Sequence, residues 1–227
     1  MKRKTALVIG GTGDIGTGLV HEFVQKGWDV AVMSRHSALR ADISGKHVTL
    51  YQGDATNEGD MGRVARGFAE KYGHADCLVY AAGLPPDVSI SLAEYPMERW
   101  NATFDTYVKG FLISFRTMLT QINRGGHVVA LGSAITRFPS DALPPINAGP
   151  YAAAKAALSE LVKWVRREAK ERGVLVSIVS PGAVDTSSHH TGDLAAIPKR
   201  MLSLDTVCDT IITLVLAGAD GELQVVA

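Results

Sequence analysis

The stretch Thr5-Ala6-Leu7-Val8-Ile9-Gly10-Gly11-Thr12-Gly13-Asp14-Ile15-Gly16 decides the fold. Thr5 to Ile9 reads as a short buried strand, and it runs without a break into a glycine turn. Behind the turn, Ile15, Leu19, Phe23 and Val24 recur at helical spacing. Gly27 closes that helix and Trp28 to Met33 begins a second strand. Gly10, Gly13 and Gly16 permit a tight turn, let backbone N–H groups approach a pyrophosphate, and bring the helix start close to the sheet. Thr12 and Ile15 belong to the same candidate cradle. Asp14 puts a carboxylate near the expected phosphate, which is reconciled if it points outward and favours the helix N-terminus.

Outward from this unit the β-then-α order continues, with no repeat, low-complexity run or linker. Strands are predicted at His47 to Tyr51, Asp76 to Tyr80, Gly126 to Leu131, Val174 to Val179 and Leu223 to Val226. Helices are predicted at Asn57 to Tyr72, Tyr151 to Arg172 and Leu204 to Leu216, with one or two more between Leu92 and Ile122. The pattern implies an α/β protein: a single Rossmann-type domain over residues 1–227, with a doubly wound parallel sheet of about seven strands and helices on both faces. Ligands of such sheets bind at the carboxyl ends of the strands, where every motif below falls.

Composition bounds the rest. The 227 residues, 46% of them hydrophobic, suffice for one three-layer core. Lys plus Arg and Asp plus Glu each count 23, so no global attraction to nucleic acid or an anionic membrane is expected. The start Met-Lys-Arg-Lys is basic, but the apolar run after it is too short for a signal-peptide core or a membrane span, and a cytoplasmic location is expected. Cys77 falls in a predicted strand and Cys208 in a predicted helix, without metal or redox spacing, so both read as buried thiols.

Tyr151 and Lys155 stand four residues apart in Tyr151-Ala-Ala-Ala-Lys155-Ala-Ala-Leu158, a run of strong helix formers that puts phenol and ammonium on one helix face. A phenol titrates ordinarily near ~10, and a cation close by favours phenolate, so the spacing predicts Lys155 as tuner and Tyr151 as proton donor.

Taken in order, these motifs make the chain resemble the short-chain dehydrogenase/reductase family over essentially its whole length. Ile9 through Gly16 matches the family's glycine motif, Tyr80-Ala81-Ala82-Gly83 its Asn-Asn-Ala-Gly motif, and Tyr151 to Lys155 its Y-x-x-x-K signature. Ser133 corresponds to the active-site serine and Asp54, followed by Ala55, to the strand-three aspartate that contacts adenine. Pro181-Gly182-Ala183-Val184-Asp185-Thr186 corresponds to the Pro-Gly-x-x-x-Thr motif. For Asp54 a turn-forming role in Gly53-Asp54 is an alternative.

The resemblance implies a nicotinamide cofactor, a small carbonyl or alcohol substrate, and a homodimer or homotetramer built on the helices near 101–122 and 151–172. Ser133 and Tyr151 would hydrogen-bond the substrate oxygen, with Tyr151 giving up its proton. Lys155 would hold the nicotinamide ribose as well as tune Tyr151. The remaining cofactor contacts are expected from Gly10, Thr12, Gly13, Asp14, Ile15, Gly16, Ala81, Ala82, Gly83, Pro181, Gly182, Val184 and Thr186.

At the end of strand two, Met33-Ser34-Arg35-His36 carries a hydroxyl and a guanidinium where an NAD-selective site would carry an acid, so NADP(H) is preferred over NAD(H). Arg40 and His36 are candidate helpers.

The departures matter equally. The family usually has asparagine where this chain has Tyr107, an asparagine associated with a kinked helix and with a water linking the lysine to solvent. The tyrosine hydroxyl either reaches that water or fills its space, with slower turnover expected. Tyr80-Ala81 removes a polar contact between strand four and its neighbours. These changes keep open a dinucleotide-binding sensor with impaired catalysis, and the Gly10-x-x-Gly13-x-x-Gly16 spacing keeps open an NAD-linked sugar-nucleotide epimerase.

The segment Ala134 to Pro150, with Arg137, Phe138, Pro144 and Pro145, is expected to wall the substrate pocket, Arg137 being a candidate for an acidic substrate. His189 and His190 follow Thr186 in the stretch expected to cover the nicotinamide. With only Asp185 and Asp193 nearby, no metal is expected there.

Overall fold

The computed structural model describes residues 2–86, 88–139, 147–187 and 201–226. Among them a seven-stranded sheet runs in the order β3-β2-β1-β4-β5-β6-β7, every pair parallel. The strands are β1 (Thr5–Ile9), β2 (Asp29–Ser34), β3 (Val48–Gln52), β4 (Ala75–Tyr80), β5 (Ile122–Leu131), β6 (Leu175–Pro181) and β7 (Gly221–Val225). The helices are α1 (Asp14–Gln25), α2 (Glu58–Tyr72), α3 (Met97–Phe104), α4 (Gly110–Met118), α5 (Gly149–Glu171) and α6 (Leu204–Ala217).

Strands buried on both faces need apolar side chains at every position, and β1 is buried throughout. Its two faces feed separate cores. Leu7 and Ile9 pack with Met61 and Phe68 of α2, Phe111 and Phe115 of α4, and Leu158 and Val162 of α5. Ala6 and Val8 pack with Leu19 and Phe23 of α1 and Val207 and Ile211 of α6. The order reverses between β1 and β4, where the outward-going halves of the sheet leave a crevice at the carboxyl edge.

Most predicted elements appear within a residue or two. β5 is the larger departure. It starts at Ile122 rather than Gly126, because the β4–β5 pairing jumps from Ala75↔Ile122 to Cys77↔His127, with Gly125 at φ +82° inside the irregularity. The helical segment predicted between Leu92 and Ile122 is broken into α3 and α4 by a π-helical turn over Asp105–Lys109. α5 begins at Gly149, ahead of Tyr151, with a proline in its first turn.

Cys77 and Cys208 are buried free thiols, as read from the sequence. No helix among the described residues is long and apolar enough to cross a membrane.

Candidate active site

The fold collects the sequence motifs at the carboxyl edge of the sheet. Gly10 to Gly16 follows β1, Arg35 follows β2, Asp54 and Ala55 follow β3, Ala81 to Gly83 follow β4, Ser133 follows β5, and Gly182 to Thr186 follow β6. Tyr151 and Lys155 lie in the first turns of α5.

Two of the turn glycines are required by the protein's own packing. Gly10 has φ +79°, and a Cβ there would lie 2.6 Å from the Ala82 backbone. A Cβ on Gly16 would lie 2.2 Å from the Gly10 carbonyl. Gly13 differs, since among the described residues a Cβ there would meet only the Gly10 carbonyl at 3.5 Å, an ordinary contact. Gly13 caps α1 without any side-chain hydrogen bond, so the first-turn N–H groups of α1 have no side-chain cap. An uncapped helix start behind a glycine turn fits a phosphate of a dinucleotide.

Asp14 does not point freely outward. Its carboxylate accepts from the Ser187 amide at 2.7 Å and the Ser187 hydroxyl at 2.6 Å, and pairs with Arg40 at 3.2 Å. Burial would raise its pKa, but the Ser187 bonds and the Arg40 charge outweigh it and hold the carboxyl below its usual range. Arg40 also pairs with Asp42, so the expected helper at the cofactor ribose is already engaged by two carboxylates.

Arg35 is exposed and its guanidinium has no ion-pair partner among the described residues, while Ser34 shares its hydroxyl with Thr12 at 2.7 Å and accepts from the His36 amide at 3.1 Å. Asp54 uses one carboxylate oxygen on the Thr56 amide and hydroxyl, both at 2.8 Å. The turn-forming reading therefore describes at least half of its carboxylate.

Ser133, Tyr151 and Lys155 come together. The Ser133 side chain lies close enough to the Tyr151 phenol to pull its ionisation down, and Ser133 also accepts from the Ile135 amide at 3.3 Å. Lys155 is buried, 4% exposed, and donates to the Leu131 carbonyl at 2.7 Å. A narrow cleft with room for about one water opens beside Tyr151, lined by Leu84, Pro86, Tyr95, Thr103 and Pro150.

The electrostatic expectation for Tyr151 is corrected. Burial raises the phenol above its ordinary value, against the opposing pull of the Ser133 side chain. The ammonium expected to lower it is itself brought down to about 7 by burial, so it carries only part of its charge at neutral pH.

Tyr107 fills space rather than reaching toward Lys155 with its hydroxyl. Its ring centroid lies 4.0 Å from Lys155 Nζ, and its hydroxyl donates to the Leu84 carbonyl at 2.5 Å while accepting from the Leu84 amide at 3.0 Å. Tyr80 does not simply remove a polar contact, because its hydroxyl donates to the Thr106 carbonyl at 2.5 Å inside the π-helical turn. No sequence pattern pointed to either partner.

Arg137, the candidate for an acidic substrate, is paired with Glu222 at 3.0 Å. Pro144, Pro145, His189, His190 and Asp193 lie outside the described residues. Among the described residues no group of three or more His, Cys, Asp or Glu is placed to hold a metal.

Comparison with known proteins identifies the family. The short chain dehydrogenase family model matches residues 4–194. The cis-2,3-dihydrobiphenyl-2,3-diol dehydrogenase of Pseudomonas sp. (strain KKS102) is 30% identical over 212 residues, covering 90% of this chain and 74% of its own. An uncharacterized oxidoreductase of Staphylococcus epidermidis is 24% identical, covering 93% of this chain and 90% of its own.

Among solved structures, a dehydrogenase/reductase from Sinorhizobium meliloti 1021 superimposes with TM-score 0.88 at 24% identity, covering 100% of this chain and 94% of its own. A Burkholderia cenocepacia short chain dehydrogenase in complex with NADP gives TM-score 0.81 at 22% identity, covering 100% and 89%. The chain belongs to the short-chain dehydrogenase/reductase family and is an oxidoreductase of the nicotinamide-dinucleotide type.

Proposed function

We propose that the protein reduces a ketone or aldehyde to an alcohol with NADPH, or runs the reverse reaction, through Ser133, Tyr151 and Lys155. The observation that carries this reading is the gathering of Ser133 and Tyr151 at the carboxyl edge of the sheet, the serine side chain acting on the phenol, with Lys155 buried one helical turn further along. The nicotinamide, when bound, supplies or accepts the hydride. Ser133 and Tyr151 orient the carbonyl oxygen and donate hydrogen bonds that strengthen as charge develops on it. Tyr151 carries the proton, and Lys155 balances charge beneath the phenol and would hold the nicotinamide ribose when the cofactor is bound.

Replacing Tyr151 with Phe tests this: reduction across a carbonyl panel falls by about 100-fold or more, while NADPH affinity stays within a few-fold. Unchanged turnover would remove Tyr151 from the mechanism.

Preference for NADPH rests on the exposed Arg35 beside Ser34, its guanidinium without an ion-pair partner among the described residues. The NADP complex of the Burkholderia neighbour supports the same reading. Arg35→Ala should weaken NADPH binding about 10- to 100-fold and leave NADH binding nearly unchanged, read by cofactor fluorescence. An equal loss for both would reject Arg35 as the phosphate reader.

A second reading is favoured by the Tyr107 ring against Lys155, which closes space the family usually leaves to an asparagine and a water. In it the protein is a dinucleotide-binding sensor with impaired catalysis. Tight NADPH binding without turnover on any carbonyl or alcohol tested would select it.

Assembly through α4 and α5 is supported by the exposed Leu112 and Trp164 on those helices. A monomeric mass by light scattering at micromolar concentration would overturn it.

A further inference from the structure

We propose that Tyr107 is a positioning residue that ties the two halves of the site together, its ring face seating the Lys155 ammonium and its hydroxyl pinning the Leu84 main chain beside Tyr151. The residue is 3% exposed, and its placement is determined from several sides. The π-helical turn Asp105–Lys109 carries it, and the Tyr80 hydroxyl holds the Thr106 carbonyl of that turn. The Tyr107 ring stands edge-to-face against Tyr151, centroids 5.4 Å apart at 82°. A Cβ on Gly83 would come within 3.1 Å of the Tyr107 hydroxyl, so the loop after β4 is shaped around that hydroxyl.

Position, and not proton transfer, is what Tyr107 can contribute. Its hydroxyl proton is committed to the Leu84 carbonyl and one lone pair to the Leu84 amide. Burial, with the neighbouring Tyr151 phenol adding to it, pushes its ionisation far above the ordinary phenol range, so it stays neutral. What remains for Lys155 is the negative face of the ring, 4.0 Å from Nζ, in a site with little water to compete.

The other groups facing Lys155 are the Leu131 carbonyl of β5 at 2.7 Å and the Tyr151 ring, 5.7 Å away on α5. No carboxylate contributes to the Lys155 shift, which burial causes. Among the described residues the Tyr107 ring and the Leu131 carbonyl are therefore the two nearest groups that favour the charged amine, with the Tyr151 ring farther off. The hydroxyl end acts separately: Leu84 lines the cleft beside Tyr151, and clamping both its amide and its carbonyl fixes that wall.

The test is a pH titration of the intact protein carrying ¹³C-labelled lysine, followed by NMR without substrate or cofactor. In the wild type the Lys155 signal is expected to titrate near 7, brought down by burial. Tyr107→Phe keeps the ring and leaves that titration nearly in place, but hydrogen exchange at the Leu84 amide rises about tenfold as its acceptor is lost.

Tyr107→Leu removes the ring face, and the Lys155 titration falls by about half a unit to one and a half units. Should the Leu variant not fold, 3,5-difluorophenylalanine at position 107 weakens the ring's face at nearly constant shape. It should lower the titration by a few tenths of a unit relative to Tyr107→Phe. Equal Lys155 titrations in the Phe and Leu variants, or no response to fluorination, would overturn the seat. Unchanged Leu84 exchange in the Phe variant would overturn the clamp.

The kinetic consequence rests on the reductase reading. The limb of the kcat–pH profile set by Lys155 moves down in the Leu variant and stays in the Phe variant, whose main change is a higher KM for carbonyl substrates. A shifted titration with no wild-type turnover would fail the reductase reading alone, and turnover with no shifted titration would fail this inference alone.

Discussion

Replacing Lys155 with Met should stabilise the protein while abolishing its activity. The ammonium is buried and its pKa falls from 10.5 to about 7, which corresponds to a ceiling of roughly 5 kcal/mol of unfavourable free energy at neutral pH. Methionine fills a similar volume without charge. Against the gain stands the Leu131 carbonyl, which loses a donor at 2.7 Å, a loss of about 1–3 kcal/mol if nothing replaces it. The expected net gain is about 1–3 kcal/mol at pH 7, or roughly 3 to 9 °C in Tm for a chain of this size.

The pH dependence identifies the cause. A base whose folded pKa lies below its unfolded value binds more protons in the unfolded chain between the two values. Wild-type stability therefore climbs as pH rises from about 7 toward 10.5, and the Met variant lacks that climb. The variant's advantage is greatest at or below pH 7 and closes by up to about 1.4 kcal/mol per pH unit above it. Urea melts of both proteins from pH 6 to pH 9 measure this gap. A variant less stable at pH 7, or a gap that does not narrow with pH, would refute the reasoning.

Two further predictions concern stability and binding. His127 is buried, its Nε2 bonded to Ser177 Oγ at 2.8 Å and its Nδ1 without a partner among the described residues, and burial lowers its pKa to about 4. The unfolded chain binds the extra proton between pH 4 and 6.5, so stability should fall by at most about 3 kcal/mol as pH drops through that window, and His127→Gln should flatten the fall in urea melts. Among the turn glycines, Gly16→Ala should lower Tm sharply because its Cβ meets the Gly10 carbonyl at 2.2 Å. Gly13→Ala, with only an ordinary contact at 3.5 Å, should keep its Tm and lose NADPH affinity; a Gly13→Ala protein that binds NADPH normally would place the phosphate elsewhere.

The glycine turn, the succession of strands and helices along the chain and the Tyr151–Lys155 pair were legible because they are local. Strands covered on both faces show as apolar runs, and helical spacing of four residues needs no tertiary knowledge. The π-helical turn was not legible: a single i→i+5 insertion leaves the apolar periodicity of Leu92 to Ile122 nearly intact, although it redirects Tyr107. The start of β5 was missed because Arg124-Gly125 reads as a turn, whereas the structure uses it as an irregularity inside the strand. The Asp14–Ser187 contact joins residues 173 positions apart, which no spacing rule addresses. Burial, equally invisible in a spacing, is why the expected direction of the Tyr151 shift came out reversed.

That reversal bears on the direction of the proposed chemistry. Burial favours the neutral form of both partners, keeping the proton on the Tyr151 phenol while drawing Lys155 toward the free amine. A phenol that retains its proton is ready to give it to a developing alkoxide, whereas accepting a proton from an alcohol requires the phenolate that burial opposes. The Leu131 carbonyl and the Tyr107 ring keep part of the charge on Lys155, and that residual charge is what eases loss of the phenol proton during reduction. Under the proposed function the site is therefore biased toward carbonyl reduction at neutral pH, and alcohol oxidation should gain relative to reduction as pH rises. Because reduction takes up a proton overall, that ratio moves with pH whichever group carries the proton. The pH profile of kcat/KM for reduction is therefore measured alone in wild type and Tyr151→Phe, and residual activity with an unchanged profile in the variant would mean that Tyr151 is not the group exchanging the proton.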